Sequence, residues 1–442
     1  MTLPRLALSV LAAAPLFAQA DPKAGERKLA TIPDDIELSR TENGPDGRSY
    51  TDHTRFAFGE GGSFVAYGGF RGGKSVAFAG DTEIGTFDYL HQPVTDADAK
   101  HYAFRAGVRK SATEEEWWAI VDGEKGKGFA WVSSVAVDHD GVAAFWVEPD
   151  AKIQSDGFYE QTDCEFWVGK RKGKKFDGTT PVDPLFAADG KTAATVARRG
   201  GSYFVITATT KKESVAKRGY PMIEDVAISP DGKRTAATVV LGGPSVPPGM
   251  PAPPGTTPGK LRVVVDGDEY GDDTDGAGAV TFAPKGKAFA YKFVKDGKMG
   301  LALDGDKKPA ADYDFVGEVA FAPDGKTIAF TTNAGGKVEE YTRLLGAGAA
   351  EGGYWSLHTR KGKDAPEVVV EGVEGARFPT FGPNGELAYA QRANGRWYVM
   401  VGDRRSEGCD EVGNLRWRAD GKAIEFGARI GRELWWKVFE LE

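Results

Sequence analysis

Cysteine is almost missing from these 442 residues, with Cys164 and Cys409 the only two. A disulfide framework needs more pairs than that, and the two fall in distant parts of the chain, so both read as unpaired thiols. Histidine is scarce as well. His53, His91, His101, His139 and His358 form no pair at i+2 or i+4, which leaves a zinc site without its usual spacing. The G-x-S-x-G turn is absent, and with it the strand-to-helix elbow of a serine hydrolase; Gly200-Gly-Ser202 falls in a hairpin loop. Helical periodicity is nearly lacking, so no glycine loop opens a helix to cradle phosphate. Beyond residue 20 no apolar run approaches the roughly 20 residues that span a bilayer. Positive charge is in deficit, 56 Lys and Arg against 64 Asp and Glu for a net charge of −8. Such a surface repels phosphates and anionic lipid, so nucleic acid and membranes are poor partners.

The start of the chain reads as an export signal. Arg5 supplies a short basic region, residues 6–17 are an apolar core, and Ala18-Gln19-Ala20 is a small-residue cleavage site. This pattern predicts removal of residues 1–20, a mature chain beginning at Asp21, and a periplasmic or extracellular address. No cysteine near that point offers a lipid attachment. Glycine, by contrast, is abundant, 59 of 442 residues, an excess that fits many turns.

Those turns recur. Residues 318–330 read EVAFAPDGKTIAF, two short apolar runs around Pro-Asp-Gly-Lys. Proline presets φ, aspartate can bond its own backbone and glycine takes the left-handed conformation, which makes a β-hairpin. Equivalent turn glycines stand at 141, 190, 232, 286, 325, 385 and 421, with a smallest step of 36 residues (385 to 421) and a largest of 60 (325 to 385). Insertions account for the long steps: a Pro- and Gly-rich loop at 242–259 and a second at 338–353. A period near 40 with four short strands per unit predicts a single all-β propeller of eight or nine four-stranded blades over residues 55–442. Val226, Val280 and Val319 alternate with the smaller Ala227, Thr281 and Ala320, as tapered sheets stacked about an axis require. The last unit offers three strands and no fourth, and residues 21–54 are an arm able to supply it and close the circle.

The pieces Ser229-Pro-Asp-Gly-Lys233, Ala322-Pro-Asp-Gly-Lys326 and Gly382-Pro-Asn-Gly385 resemble the WD40-like repeats of TolB-type propellers. A second piece, apolar residues before Asp-Gly at 118–123, 264–267 and 303–305, resembles a group of bacterial exported propellers. The resemblance implies the fold and leaves the role open, because propellers host many functions. The α/β domain of TolB and the hydrolase domain of prolyl oligopeptidase-type peptidases have no counterpart here.

Candidate chemistry is sparse. Asp183, Asp225, Glu318 and Asn414 begin the innermost strands in this register and would line one rim of the central channel as ligand-binding groups. Asp268, Asp272, Asp273 and Asp275, in an acid-rich segment, are the candidate calcium ligands, although the D-x-[DN]-x-[DN]-G order is missing. No other cofactor is implied. The tryptophans at 117, 118, 167, 355, 397, 435 and 436 recur at third-strand positions and read as sheet framework. The expectation is an exported, monomeric, non-enzymatic scaffold that binds a protein or small ligand through loops at one face. The alternative is a channel-centred enzyme, calcium-dependent and lactonase-like or acting on polysaccharide, which would need several carboxylates or histidines meeting at the axis.

Overall fold

The computed structural model describes residues 25–43, 49–153, 162–179, 182–243, 259–272, 274–304, 306, 311–338 and 350–441. Residues 1–20, expected above to be an export signal, most of both insertions and Asp273 fall outside them. Among the described residues there is no α-helix, only strands and one short 3-10 turn at Glu60–Gly62.

Nine antiparallel sheets follow one another along the chain, spanning 56–87, 89–125, 131–176, 178–215, 222–270, 276–313, 315–373, 375–405 and 411–440. In each, strands pair in chain order from first to last. The first strands lie side by side around a circle, each against the next, and the ninth, Glu411–Trp417, lies against Phe56–Phe58 of the first sheet. The result is a nine-bladed β-propeller.

The core is correspondingly divided. Each seam between neighbouring sheets holds its own apolar cluster, nine in all, and none occupies the centre. Period-2 alternation explains this, since successive side chains serve opposite seams. Val226 packs into the seam toward the fourth sheet while Ala227 packs toward the sixth. Between the ninth and first sheets the cluster joins Leu434 and Trp436 to Val65, Tyr67 and Phe78, with Ala30, Ile32 and Ile36 added from the N-terminal segment. That segment also supplies the ninth sheet's outermost strand, where Arg27–Thr31 pairs antiparallel with Glu433–Glu440.

The recurring turns behave as their residues dictate. All seven turn glycines have positive φ, from +64° at Gly190 to +91° at Gly385. Asp324 accepts from the backbone amides of Lys326 and Thr327 at 2.8 Å each, and Asp189 from those of Lys191 and Thr192 at 2.9 Å. The turns also stack from blade to blade. A Cβ at Gly190 would fall 2.2 Å from the His139 ring of the preceding turn, and one at Gly232 would fall 2.6 Å from Asp189 Oδ2.

Third strands carry the tryptophans. Trp117, Trp355 and Trp436 are buried and Trp118, Trp167, Trp397 and Trp435 half-buried. Three share one device, in which the indole N–H donates to a glutamate two residues earlier: Trp117 to Glu115, Trp167 to Glu165 and Trp435 to Glu433. A basic side chain then balances each glutamate, Arg109, Lys172 and Lys28 respectively.

Candidate ligand site in the central channel

The first strands are irregular at one level. In the fifth to ninth sheets a bulge interrupts the register at Ile223/Asp225, Gly278/Val280, Val316/Val319, Arg377/Thr380 and Gly413/Arg416. In the second, third and fourth sheets the first strand is split in two, with the non-strand residues 91–93, 133–135 and 182–184 between the halves. A bulge bends the strand and re-aims side chains. Here the device is repeated around the axis.

Two non-glycine residues at these bulges, Ala279 and Phe378, hold φ of +50° and +55°. For a residue as bulky as phenylalanine this conformation is strained, and it is held in place by a neighbouring blade. The Phe378 amide donates to Glu318 Oε2 at 2.5 Å, while the Glu318 amide donates to Thr331 Oγ1 at 2.9 Å.

The bulges open a cavity of about 500 Å³ against the fifth to ninth sheets, lined among others by Asp225, Lys292, Glu318, Phe378 and Leu415. Three ionisable groups from three sheets thus face one space. Burial raises the Asp225 carboxyl to about 6, against a backbone amide bond from Val226 and the charge of Lys292 that pull it down. Burial likewise raises Glu318, opposed by the Phe378 amide and the charges of Arg377 and Lys292. Lys292 is pushed down to about 8 by burial, with Glu318 and Asp225 working to keep its proton.

A second cavity, of about 660 Å³, adjoins the first and shares Glu318 and Phe378 with it. Its other walls come from the first, eighth and ninth sheets, including Thr54, Arg55, Phe56, Arg377, Trp397 and Arg429. Arg429 is occupied, donating to Glu411 at 2.7 Å. Next around the circle from the first sheet, in the second, Arg105 lies 4.2 Å over the Trp117 ring and donates to His91 Nε2 at 2.8 Å. Burial and that guanidinium push His91 down to about 4, against the pull of Asp183 and Asp52. The imidazole is therefore neutral at physiological pH.

Of the four expected rim residues, Asp225 and Glu318 line one cavity. Asp183 is exposed in the gap of the fourth sheet's first strand, and Asn414 stands in the bulge of the ninth. All four share the level of the irregularities. They lie within or between strands and not at strand starts, because the register places each first strand several residues earlier than the turn motif alone suggests. Lys292 was not among the expected site residues, although a charge in the middle of the apolar run FAYKFV was a signal for it. Arg105, the mid-strand charge of YAFRAGVR, is its counterpart in the second sheet.

Part of the acid-rich segment is paired elsewhere. Asp266 pairs with Arg234 and Glu269 with Arg218, both at 2.6 Å, and Asp275 accepts from the Asp296 amide at 2.8 Å. Asp268 and Asp272 are exposed. Among the described residues the side chains that approach one another as metal ligands would are Asp96, Asp98 and His139, in the stacked turns of the second and third blades. Asp96 is already committed there, accepting from the amides of Asp98, Lys100 and His101. Cys164 and Cys409 are buried free thiols in the third sheet and the link between eighth and ninth.

No protein-family model matches the sequence, and no curated protein matches it. Solved structures that it resembles include the β-propeller domain of the Trilobed protease from Pyrococcus furiosus, at 11% identity and a TM-score of 0.36 over 80% of this chain and 95% of that one. The Dos1 propeller matches at 7% identity and a TM-score of 0.42, covering 80% of this chain and 92% of that. TolB from Acinetobacter baumannii matches at 12% and 0.29, covering 92% of this chain and 65% of that. The propeller architecture itself stands on the nine blade sheets described above. No helix among the described residues is long and apolar enough to cross a membrane.

Proposed function

We propose that this chain is an exported binding propeller that takes a small molecule in its central channel, at the wall carrying Asp225, Lys292 and Glu318. The supporting observation is convergence. Three charged groups from separate sheets meet at one cavity. Buried charges are costly and add little to stability over well-packed apolar residues, whereas perturbed ionisable groups in a concave site are the usual mark of a ligand site. The export pattern of residues 1–20 favours work outside the cytoplasm. The loops expected to bind partners, at 242–259 and 338–353, lie almost wholly outside the described residues, so the channel carries the argument.

The same trio favours one further reading, acid–base catalysis. A carboxyl near 6 and an amine near 8 bracket neutrality, where proton donors and acceptors work best. Calorimetric screening of charged small molecules on the mature chain tests both. Binding that Asp225→Asn weakens at least tenfold supports the channel site, and a panel that gives no binding, or binding indifferent to Asp225→Asn, removes it. Conversion of a bound molecule, followed by NMR, would favour the enzyme.

A further inference from the structure

The adjoining cavity defines the kind of molecule. The geometry points to a small carboxylic acid with a flat apolar body as the channel's ligand, its carboxylate held by Arg55 and Arg377 in the arm between the first and eighth sheets. This rests on the channel reading above and adds the ligand's chemistry.

Three observations carry it. The first is a local reversal of charge. The chain is acidic, at −8 overall, yet the ionisable residues lining this arm are Arg55, Arg377 and Arg429 against Glu318 and Glu411, with His53 at its edge. Arg429 and Glu411 cancel as a pair at 2.7 Å. Arg55 and Arg377 are exposed to the cavity side and neither forms an ion pair among the described residues. Two guanidinium groups against one carboxyl leave the arm net positive.

The second is an orphaned hydroxyl. Thr54 lines the same arm and is only 7% exposed, and its Oγ1 has no hydrogen-bond partner among the described residues. A buried hydroxyl left unpaired costs about 1–3 kcal/mol, and since Oγ1 itself has almost no accessible surface, a ligand oxygen reaches it only if the wall at Thr54 opens on binding. The third is the surrounding surface. The Arg377 guanidinium carbon lies 5.5 Å over the Trp397 ring, and Phe56 and Phe378 present half-buried rings to the same space. A planar fork suits a carboxylate, which accepts two parallel hydrogen bonds. Ring faces suit a flat apolar body.

The test uses the mature full-length chain and four probes: phenylacetate, acetate, phenethylamine and inorganic phosphate. Calorimetry should show phenylacetate binding at least tenfold tighter than acetate, phenethylamine or phosphate. Arg377→Gln and Arg55→Gln should each weaken phenylacetate at least tenfold, and Arg377→Lys should not restore it. Both arginines are exposed, and unchanged melting curves for the variants would show that the fold is intact. Phenethylamine binding as tightly as phenylacetate, phosphate binding more tightly, or indifference of phenylacetate to Arg377→Gln would each overturn the assignment. If phenethylamine binds and Asp225→Asn abolishes it, the carboxylate assignment fails while the channel reading stands. If none of the four probes binds, the carboxylate assignment fails, and the channel reading then falls only with the wider panel.

Discussion

Gly232 shows how much one residue carries in a stacked turn. Its φ of +68° already asks for glycine, and the previous blade's turn leaves no room for a side chain, since a Cβ would meet Asp189 Oδ2 and Thr192 Oγ1 at 2.6 Å. Gly297 has a similar φ of +74° but open space around it. The two separate strain from crowding. Gly297→Ala should cost about 1–2 kcal/mol, the usual left-handed penalty, and Gly232→Ala clearly more, as measured by urea denaturation. Equal costs would show that the turns do not bear on one another. The positive φ of these glycines could be read from Pro-Asp-Gly-Lys, because the turn type is local chemistry. The contact with the preceding blade could not, because it joins residues 40 or so apart through the stacking of sheets.

Among the elements, the edge strand Arg27–Thr31 has the least sequence signal and the largest structural duty. Its residues, RKLAT, show little β character, yet they pair with Glu433–Glu440 and bring Ala30 into the seam between the last and first blades. Lys28 adds an ion pair to Glu433 at 3.2 Å, in an exposed setting worth little by itself. Removing residues 21–31 should expose the edge of the final strand and open that seam, lowering the melting temperature by roughly 5–10 °C. An unchanged melting curve would mean that closure does not depend on this strand. The bulged first strands make a complementary case. Hydrophobic alternation located them, but the bulges follow from how neighbouring strands pack at the axis, which alternation does not encode.

For the whole molecule, the channel groups make stability depend on pH in a defined direction. Asp225 and Glu318 hold their protons to higher pH when folded than when unfolded. The native state therefore binds more protons as pH rises from the ordinary Asp value of 3.8 to about 6, and stability falls across that window. Lys292 acts oppositely, gaining stability between about 8 and its ordinary 10.5, where the unfolded chain binds more protons. Asp225→Asn should thus gain on the wild type between pH 4 and 6, seen as converging or crossing denaturation midpoints, and a constant difference would show that Asp225 is not buried as described. The sequence by itself determined the repeat, the hairpin turns, the third-strand tryptophans and hence a propeller, because each arises from residues near one another in the chain. Only the tertiary structure decided that there are nine blades, that Lys292 joins Asp225 and Glu318, and that Arg55 lines the same cavity as Arg377 from more than 300 residues away. Closing the ring brings distant strands to one axis, and no local pattern records which side chains will meet there.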